Sequence, residues 1–437
     1  MVRQSFANSL IVMSLLSCIN DHLLNGKFNH LHKTFYALYI LQPSLFSFEE
    51  LQKLESKERL PLFFSVLDLR PYAKELRSIT PQGATGHSRE AILRSLLAAP
   101  FEGISQFTAL HLRLTSDLRF RYQCGFPIDR PVPSIATFSR VFAQIVQKSV
   151  AEKLFYDLVM QCREEGIITG TTIAIDSTAI DAYEKKQPKS RCQGTGNATW
   201  GAKFDSFGNK ITWFGYKIHL AVDADSELPV ALEVTPAHVN DGDMAPPLLA
   251  QVNNQAKEVC KNYVMDGGYD HLKNYEIAHQ YKAQAIIPLN LRNEKEPPAG
   301  YTSNGTPRCS MGFEMVYAGA DGTHLKFRCP HVMGKVECPH GSAWCSSSNY
   351  GMVVKVNAHD DLRRFSLPHR DTKNWKKMYH KRTSVERCNA RLKENLTAND
   401  LHVGGIQKVK TYVYLNAIVL LVSALTGKKA KPSKKTA

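Results

Sequence analysis

Apolar positions recur at helical spacing through the first third of the chain and at alternate positions in its middle, so two kinds of architecture are predicted on one polypeptide. FEELQKLESKERLPLFFSVL, REAILRSLLAAPF and SQFTALHLRL carry the helical period between Ser47 and about Arg163. Pro131 and Pro133 interrupt the run, and Ser134 is placed to cap a helix through IATFSRVFAQIVQKSVAEKLFYDLVMQC. Near Ile167 the texture changes. ITGTTIAID is β-branched and is read as a strand ending at Asp176. Tyr216, Ile218, Leu220 and Val222 then alternate with Lys217, His219 and Ala221, and Val230, Leu232 and Val234 with Ala231 and Glu233, with a turn at Ser226-Glu227-Leu228-Pro229 between them. A helix over 244–256, a strand Tyr263-Val264-Met265 ending at Asp266, a helix over 272–281 and a strand Ala285-Ile286-Ile287 complete the series. Three strands followed by helix, strand, helix, strand predict an α/β fold with a mixed sheet, an antiparallel meander continued by crossover units.

Residues 291–371 break the pattern with Gly, Pro, Ser, Asn and Cys, and only short strand-like pieces such as 313–317 and 352–356 remain. They are read as an irregular, partly β insertion before the last helices, at 372–393 and 406–425. The chain therefore divides into a poorly defined extension (1–45), a helical segment suited to binding DNA (46–165), an α/β segment (166–290 plus 372–426), the insertion (291–371) and a basic tail (427–437).

Charge narrows the choice of partner. Lys and Arg number 55 against 40 Asp and Glu, a net of +15. Such a surface attracts polyanions, nucleic acid before an anionic membrane. Arg113, Arg119, Arg121 and Arg140 in the helical segment suit phosphate contact, and a solvated helix face accounts for them equally well. Hydrophobic content of 43% and charged content of 22% match an ordinary soluble protein. The apolar run at 10–16 before Ser17-Cys18 is shorter than a secretory core, and that at 411–425 falls short of the ~20 residues that span a bilayer, so no membrane partner is expected and the second run is read as a buried helix. The ten cysteines lack disulfide-framework spacing, which points to reduced thiols in a cytoplasm.

Two acids follow buried strand-like runs, Asp176 after IAI and Asp266 after YVM. A carboxylate at such a place is a fit ligand for a hard cation, and a turn or cap aspartate has the same local signature. Asp181 and Asp270 stand close by in the chain, so charge alone does not choose within each cluster. In YHKRTSVERCNARLK, Tyr379, Arg382, Glu386 and Lys393 share a stripe about 60° wide on an ideal helix. One carboxylate among Tyr, Arg and Lys suits a metal ligand beside a phosphate backbone, although a solvated Arg382–Glu386 pair has the same spacing. Cys309, Cys329, Cys338 and Cys345 all lie in the insertion, where four thiolates could hold Zn²⁺ or remain free. Asp223, Asp225, Asp241 and Asp243 are read as turn and cap residues, His219 and His238 as structural.

The blocks AIDSTAID, GYKIHLAVD, NYVMDGGYD and RTSVERCNARLKE, over roughly residues 47–425, resemble those of the DDE transposases of bacterial insertion sequences. Tyr379-x2-Arg382-x3-Glu386-x6-Lys393 is similar to the Y-R-E-K signature of one branch. The resemblance implies a ribonuclease-H-like fold, a catalytic triad Asp176, Asp266 and Glu386 holding two Mg²⁺ or Mn²⁺ ions, and DNA contacts from Tyr379, Arg382 and Lys393. It implies cleavage and strand transfer at terminal inverted repeats, a target DNA, a dimer assembled on DNA and a nucleoid-associated place in the cytoplasm. In that branch second-strand cutting passes through a DNA hairpin with a tryptophan stacked on a flipped base. Trp344 is the candidate, with packing as the alternative role. A catalytically inactive or domesticated DNA-binding protein, a metal-dependent nuclease that does not join strands, and a basic zinc-binding scaffold remain the rival readings.

Overall fold

The computed structural model describes residues 59–77, 86–188, 197–204, 207–254, 260–291, 294 and 296–430. The extension at 1–45, with its apolar run at 10–16, and the last seven residues of the tail lie outside them. Helices come first: α1 (Arg59–Phe64), α2 (Arg70–Glu75), α3 (Arg89–Phe101), α4 (Phe107–Ser116), α5 (Leu118–Gln123), α6 (Ile135–Gln147) and α7 (Val150–Glu164). Ser88 caps α3 and Ser134 caps α6, each side chain accepting a backbone N–H of the first turn. The single helix expected after Ser134 is two, because Ser149 adopts a left-handed φ of 52° and turns the chain between α6 and α7.

A mixed sheet follows, built from β1 (Thr172–Asp181), β2 (Thr199–Phe204), β3 (Lys210–Asp223), β4 (Pro229–Pro236), β5 (Asn262–Met265) and β6 (Gln284–Ile286), with α8 (Ala245–Asn254) and α9 (Leu272–Gln280) between the later strands. The order is β2-β3-β1-β5-β6, with β4 also on β3. β1, β2 and β4 run antiparallel to β3, whereas β5 and β6 continue parallel to β1. Two features depart from expectation. β1 does not end at Asp176: its antiparallel ladder with β3 continues to Asp181 opposite Gly215. β2 carries no alternation visible in the sequence, and its last three residues are exposed.

β3 is also more deeply buried than its alternation predicts, since His219 and Ala221 are as inaccessible as Leu220. Both α8 and a later helix, Thr383–Ala390, pack on it. The insertion forms its own antiparallel sheet of β7 (Val316–Asp321), β8 (His324–Arg328) and β9 (Val353–Asn357) around Met315, Leu325, Phe327 and Val356. Arg363 ties it to the larger sheet through the fully buried Asp270, at 2.8 Å.

The last helices are α10 (Lys373–His380), α11 (Thr383–Ala390) with a π-helical turn Arg391–Asn395, and α12 (Ile406–Ala430). The continuous helix expected over 372–393 is interrupted at Lys381-Arg382, whose N–H groups reach back only three residues, to Met378 and Tyr379. α10 rests on β5 and β6, and α11 on β1 and β3. α12 extends the expected run enough to span a membrane by length and composition, yet 72% of its most apolar window is buried inside the protein. It packs against α3, α7 and β4, so one apolar core joins the early helices to the sheet.

Candidate active site

The register of three strands brings two acids together. Parallel pairing of β1 with β5 stops at Ile175 opposite Met265, so the next residues of the two strands, Asp176 and Asp266, emerge side by side. The Asp266 carboxylate accepts the Gly268 N–H at 2.8 Å and starts a short 3-10 turn, Gly267–Tyr269. The Asp176 carboxylate accepts the Ser177 N–H at 2.8 Å. Burial, and then the charge of Asp266, push the Asp176 carboxyl up to about 7. Burial raises Asp266 as well.

α11 delivers the third acid. Arg382, at the entry to that helix, places Nη1 3.8 Å from Asp176 Oδ2 and Nη2 2.5 Å from Glu386 Oε1. One guanidinium thus spans both carboxylates and fixes Glu386 beside the strand pair. Tyr379 lies beneath Arg382, 5.9 Å from its guanidinium carbon, and stacks on Trp375 at 5.1 Å. Trp375 in turn packs on Val264 of β5 and Ile286 of β6. The structure therefore brings Asp176, Asp266, Glu386, Arg382 and Tyr379 together. Lys393 leaves the predicted stripe within the π-helical turn: its Nζ donates to Ala179 O at 2.9 Å, three residues beyond Asp176 along β1.

Among the described residues no three His, Cys, Asp or Glu side chains stand close enough together to hold a metal ion. Asp176 and Asp266 make a pair, and Glu386 joins them only through Arg382. Even so, two buried carboxylates that each resist ionisation offer oxygen acceptors short of positive charge, the donor chemistry of a hard divalent cation. The site fits such an ion. Among the described residues the insertion cysteines are not gathered into a group that could hold a metal ion. Cys309, Cys329, Cys338 and Cys345 are free thiols, of which Cys329 is buried beyond β8 and Cys309 packs against the insertion's apolar core.

Several other expectations resolve locally. Arg121 is buried, and Arg113 is paired with Asp117 at 3.1 Å, so neither presents a bare guanidinium to phosphate. Arg140 stays on the exposed face of α6. Trp344 does not pack in the interior: it is 58% exposed and stacked on His340. Asp223 is a turn residue, accepting from Gly170 and Ser226.

Asp241 does more than cap a turn. It pairs with Lys217 at 2.9 Å, and its charge reaches Asp176, Asp266 and Tyr269. Burial, and then the charges of Asp176, Asp241 and Asp266, hold the Tyr269 phenol well above its usual range. His219, buried and 4.0 Å from Asp241, is lowered to about 4 by burial and shares a hydrogen bond with the Thr235 hydroxyl. Lys217 is the available signal for this group, a part-buried lysine among the apolar residues of the inner part of β3.

Comparison with known proteins adds the family. Residues 169–422 match the family described as Transposase DDE domain, and residues 48–144 match the one described as Transposase domain (DUF772). No curated protein matches the chain. A solved structure described as a piggyBac transposase synaptic complex with hairpin DNA aligns at 12% identity and a TM-score of 0.37, over 85% of this chain and 76% of that one. The DDE match spans more than half of the chain and encloses every acid of the site. The chain belongs to the DDE transposase family and is a DNA transposase, an enzyme that transfers polynucleotide strands.

Proposed function

We propose that Asp176, Asp266 and Glu386 are the acidic triad of this transposase and hold two divalent ions, Mg²⁺ or Mn²⁺, at the DNA strand being cut. The observation that carries the reading is the register that ends β1–β5 pairing just before Asp176 and Asp266, with Glu386 bridged to Asp176 by one arginine. Bound ions supply Lewis-acid polarisation and charge neutralisation for an in-line displacement at phosphorus. The rest falls to the chain. Asp176 and Asp266 are fixed by backbone N–H groups, so their oxygens are oriented before any ion arrives. Arg382 is the counter-charge beside Asp176 and Glu386 and a donor for an incoming phosphate. A bidentate guanidinium–phosphate contact would draw it off Asp176 and Glu386. Tyr379 braces it from below, and Lys393 adds positive charge further along β1.

The Tyr379–Arg382–Glu386–Lys393 set serves in this reading as a Y-R-E-K signature. An antiparallel β1-β3-β4 meander continued by parallel β5 and β6 supports a ribonuclease-H-like fold. The segments 46–165, 166–290 plus 372–426 and 291–371 are taken as DNA-binding, catalytic and inserted parts. The expected partners are duplex terminal inverted repeats, a target DNA and a second copy assembled on that DNA, in the nucleoid.

The test is cleavage and joining on the DNA ends that flank the coding sequence, with Mg²⁺, comparing wild type with Asp176→Asn, Asp266→Asn and Glu386→Gln. Each variant should lose cutting and keep DNA binding. Cutting that persists in a variant rejects that residue's role. Wild-type cutting without joining would favour a nuclease, and binding without cutting an inactive DNA-binding protein.

A further inference from the structure

We propose that the two-stranded ribbon formed by β2 and the start of β3 is a duplex-DNA contact, seated in a groove of the DNA that runs out from the catalytic acids. This rests on the transposase reading of the site and adds to it a surface that no motif marks.

The ribbon stands apart from the sheet. β1 pairs with β3 only from Gly215 onward, and β4 only from Tyr216. Residues 210–214 therefore have β2 as their sole strand partner among the described residues. Ala202, Lys203 and Phe204 on one strand, and Lys210, Ile211 and Thr212 on the other, are exposed, although successive residues point to opposite faces. Both faces of the ribbon end are thus open. Exposed apolar residues concentrate there: Phe204 is 72% and Phe207 88% exposed, with Ile211 beside them at 43%. Phe207 is the most exposed of the large apolar residues described. Such clustering marks a contact surface rather than the scattered apolar exposure of an ordinary surface. The base is stiff, because Trp213 lies across Gly201, where a Cβ would come within 2.4 Å of the indole.

Charge selects the occupant. Lys203 and Lys210 are the ribbon's charged residues among those described, and exposed Lys185 and Lys186 precede them. The nearby acid Glu184 is occupied by the Tyr216 hydroxyl and the Gly405 N–H. Burial, and then the charge of Lys203, lower Lys393, with Asp181 and Glu394 opposing, so Lys203 lies within electrostatic reach of the β1 end of the catalytic site. The ribbon segment carries Lys203 and Lys210 against the single acid Asp205, a net positive charge that suits the phosphate lining of a DNA groove. The major groove of duplex DNA admits a two-stranded β-ribbon.

The experiment uses full-length protein and a random-sequence duplex of about 30 base pairs, with affinity measured by fluorescence anisotropy from roughly 50 to 200 mM salt. Lys203→Gln with Lys210→Gln should weaken binding and flatten the salt dependence by about two phosphate contacts, with an unchanged melting temperature. Phe204→Ser with Phe207→Ser should weaken binding without changing the salt slope. A wild-type affinity and slope in both double variants overturns the ribbon and leaves the transposase reading intact, whereas wild-type protein that binds no DNA defeats both. Loss of self-association in the phenylalanine variant, with DNA binding retained, assigns the ribbon to a second copy and also overturns the proposal.

Discussion

Asp176 shows most directly how position makes chemistry. Its backbone belongs to a strand, its side chain is largely out of water, and another carboxylate stands next to it. The protonation cost follows. Folded Asp176 releases its proton near pH 7, whereas an unfolded chain releases it near pH ~4. Between those values the folded state holds more protons, so stability falls as pH rises through that window and stays at its lowest above it. Asp176→Asn removes that cost. Thermal melts of chelator-treated protein should therefore show the variant above wild type at alkaline pH, with the gap shrinking as pH falls from about 7 and closed below ~4. A gap that widens on acidification would contradict the assignment.

Arg382 yields a second expectation at this scale. Its two nitrogens reach different carboxylates, a geometry that a lysine ammonium cannot copy. Arg382→Lys should lower the strand-cutting rate by roughly 10-fold or more while leaving Mn²⁺ binding in place. Single-turnover cleavage paired with a metal titration separates the two effects. The two aspartates were legible in the sequence because each follows a short apolar β-branched or aliphatic run. Asp241 was not, because an Asp-Gly-Asp turn has the same appearance whether its carboxylate faces solvent or other acids.

Among the elements, the β1–β3 ladder sets where Asp176 stands. Gly215 is the tightest point of that ladder: an added Cβ would lie 2.1 Å from Ile180 O and 2.8 Å from Ala182 N, both backbone atoms that cannot rotate away. Gly215→Ala should destabilise the protein by roughly 1–3 kcal/mol through overpacking, read as a lower denaturant midpoint. A wild-type midpoint would mean that the ladder is looser than described. Alternation made β3 and β4 readable, since their inward residues are apolar and every second position differs. β2 escaped because a ribbon open on both faces lacks that contrast, whereas β8 carries it in Leu325 and Phe327 over only five residues inside a Gly-, Pro- and Ser-rich stretch. The helical period likewise runs unbroken through 372–393, so the turn at Lys381-Arg382 and the π-helical turn after Ala390 left no trace in the pattern. Both arise from how the segment packs on β1 and β5, which composition does not encode.

For the molecule as a whole, the apolar core carries the early helices and the sheet together through α12, while the insertion keeps a core of its own. Charge holds the insertion in place. Asp270 is wholly inaccessible, and Arg363 offers it Nε and Nη2 at 3.1 and 2.8 Å. Arg363→Ala would strand that carboxylate in the interior at a cost of roughly 3 kcal/mol, seen as a lowered melting temperature. The mixed α/β class and the place of the insertion were legible from the order of periods. The sharing of one core by the early helices and the sheet was not, because α12 reads as an apolar run whose partners the sequence does not name.

The most direct test of the account is a Mn²⁺ titration of the purified protein followed by electron paramagnetic resonance, in wild type and in Asp176→Asn, Asp266→Asn and Glu386→Gln. The account predicts saturable Mn²⁺ binding in wild type that each substitution weakens. Equal Mn²⁺ affinity in all four proteins would contradict it.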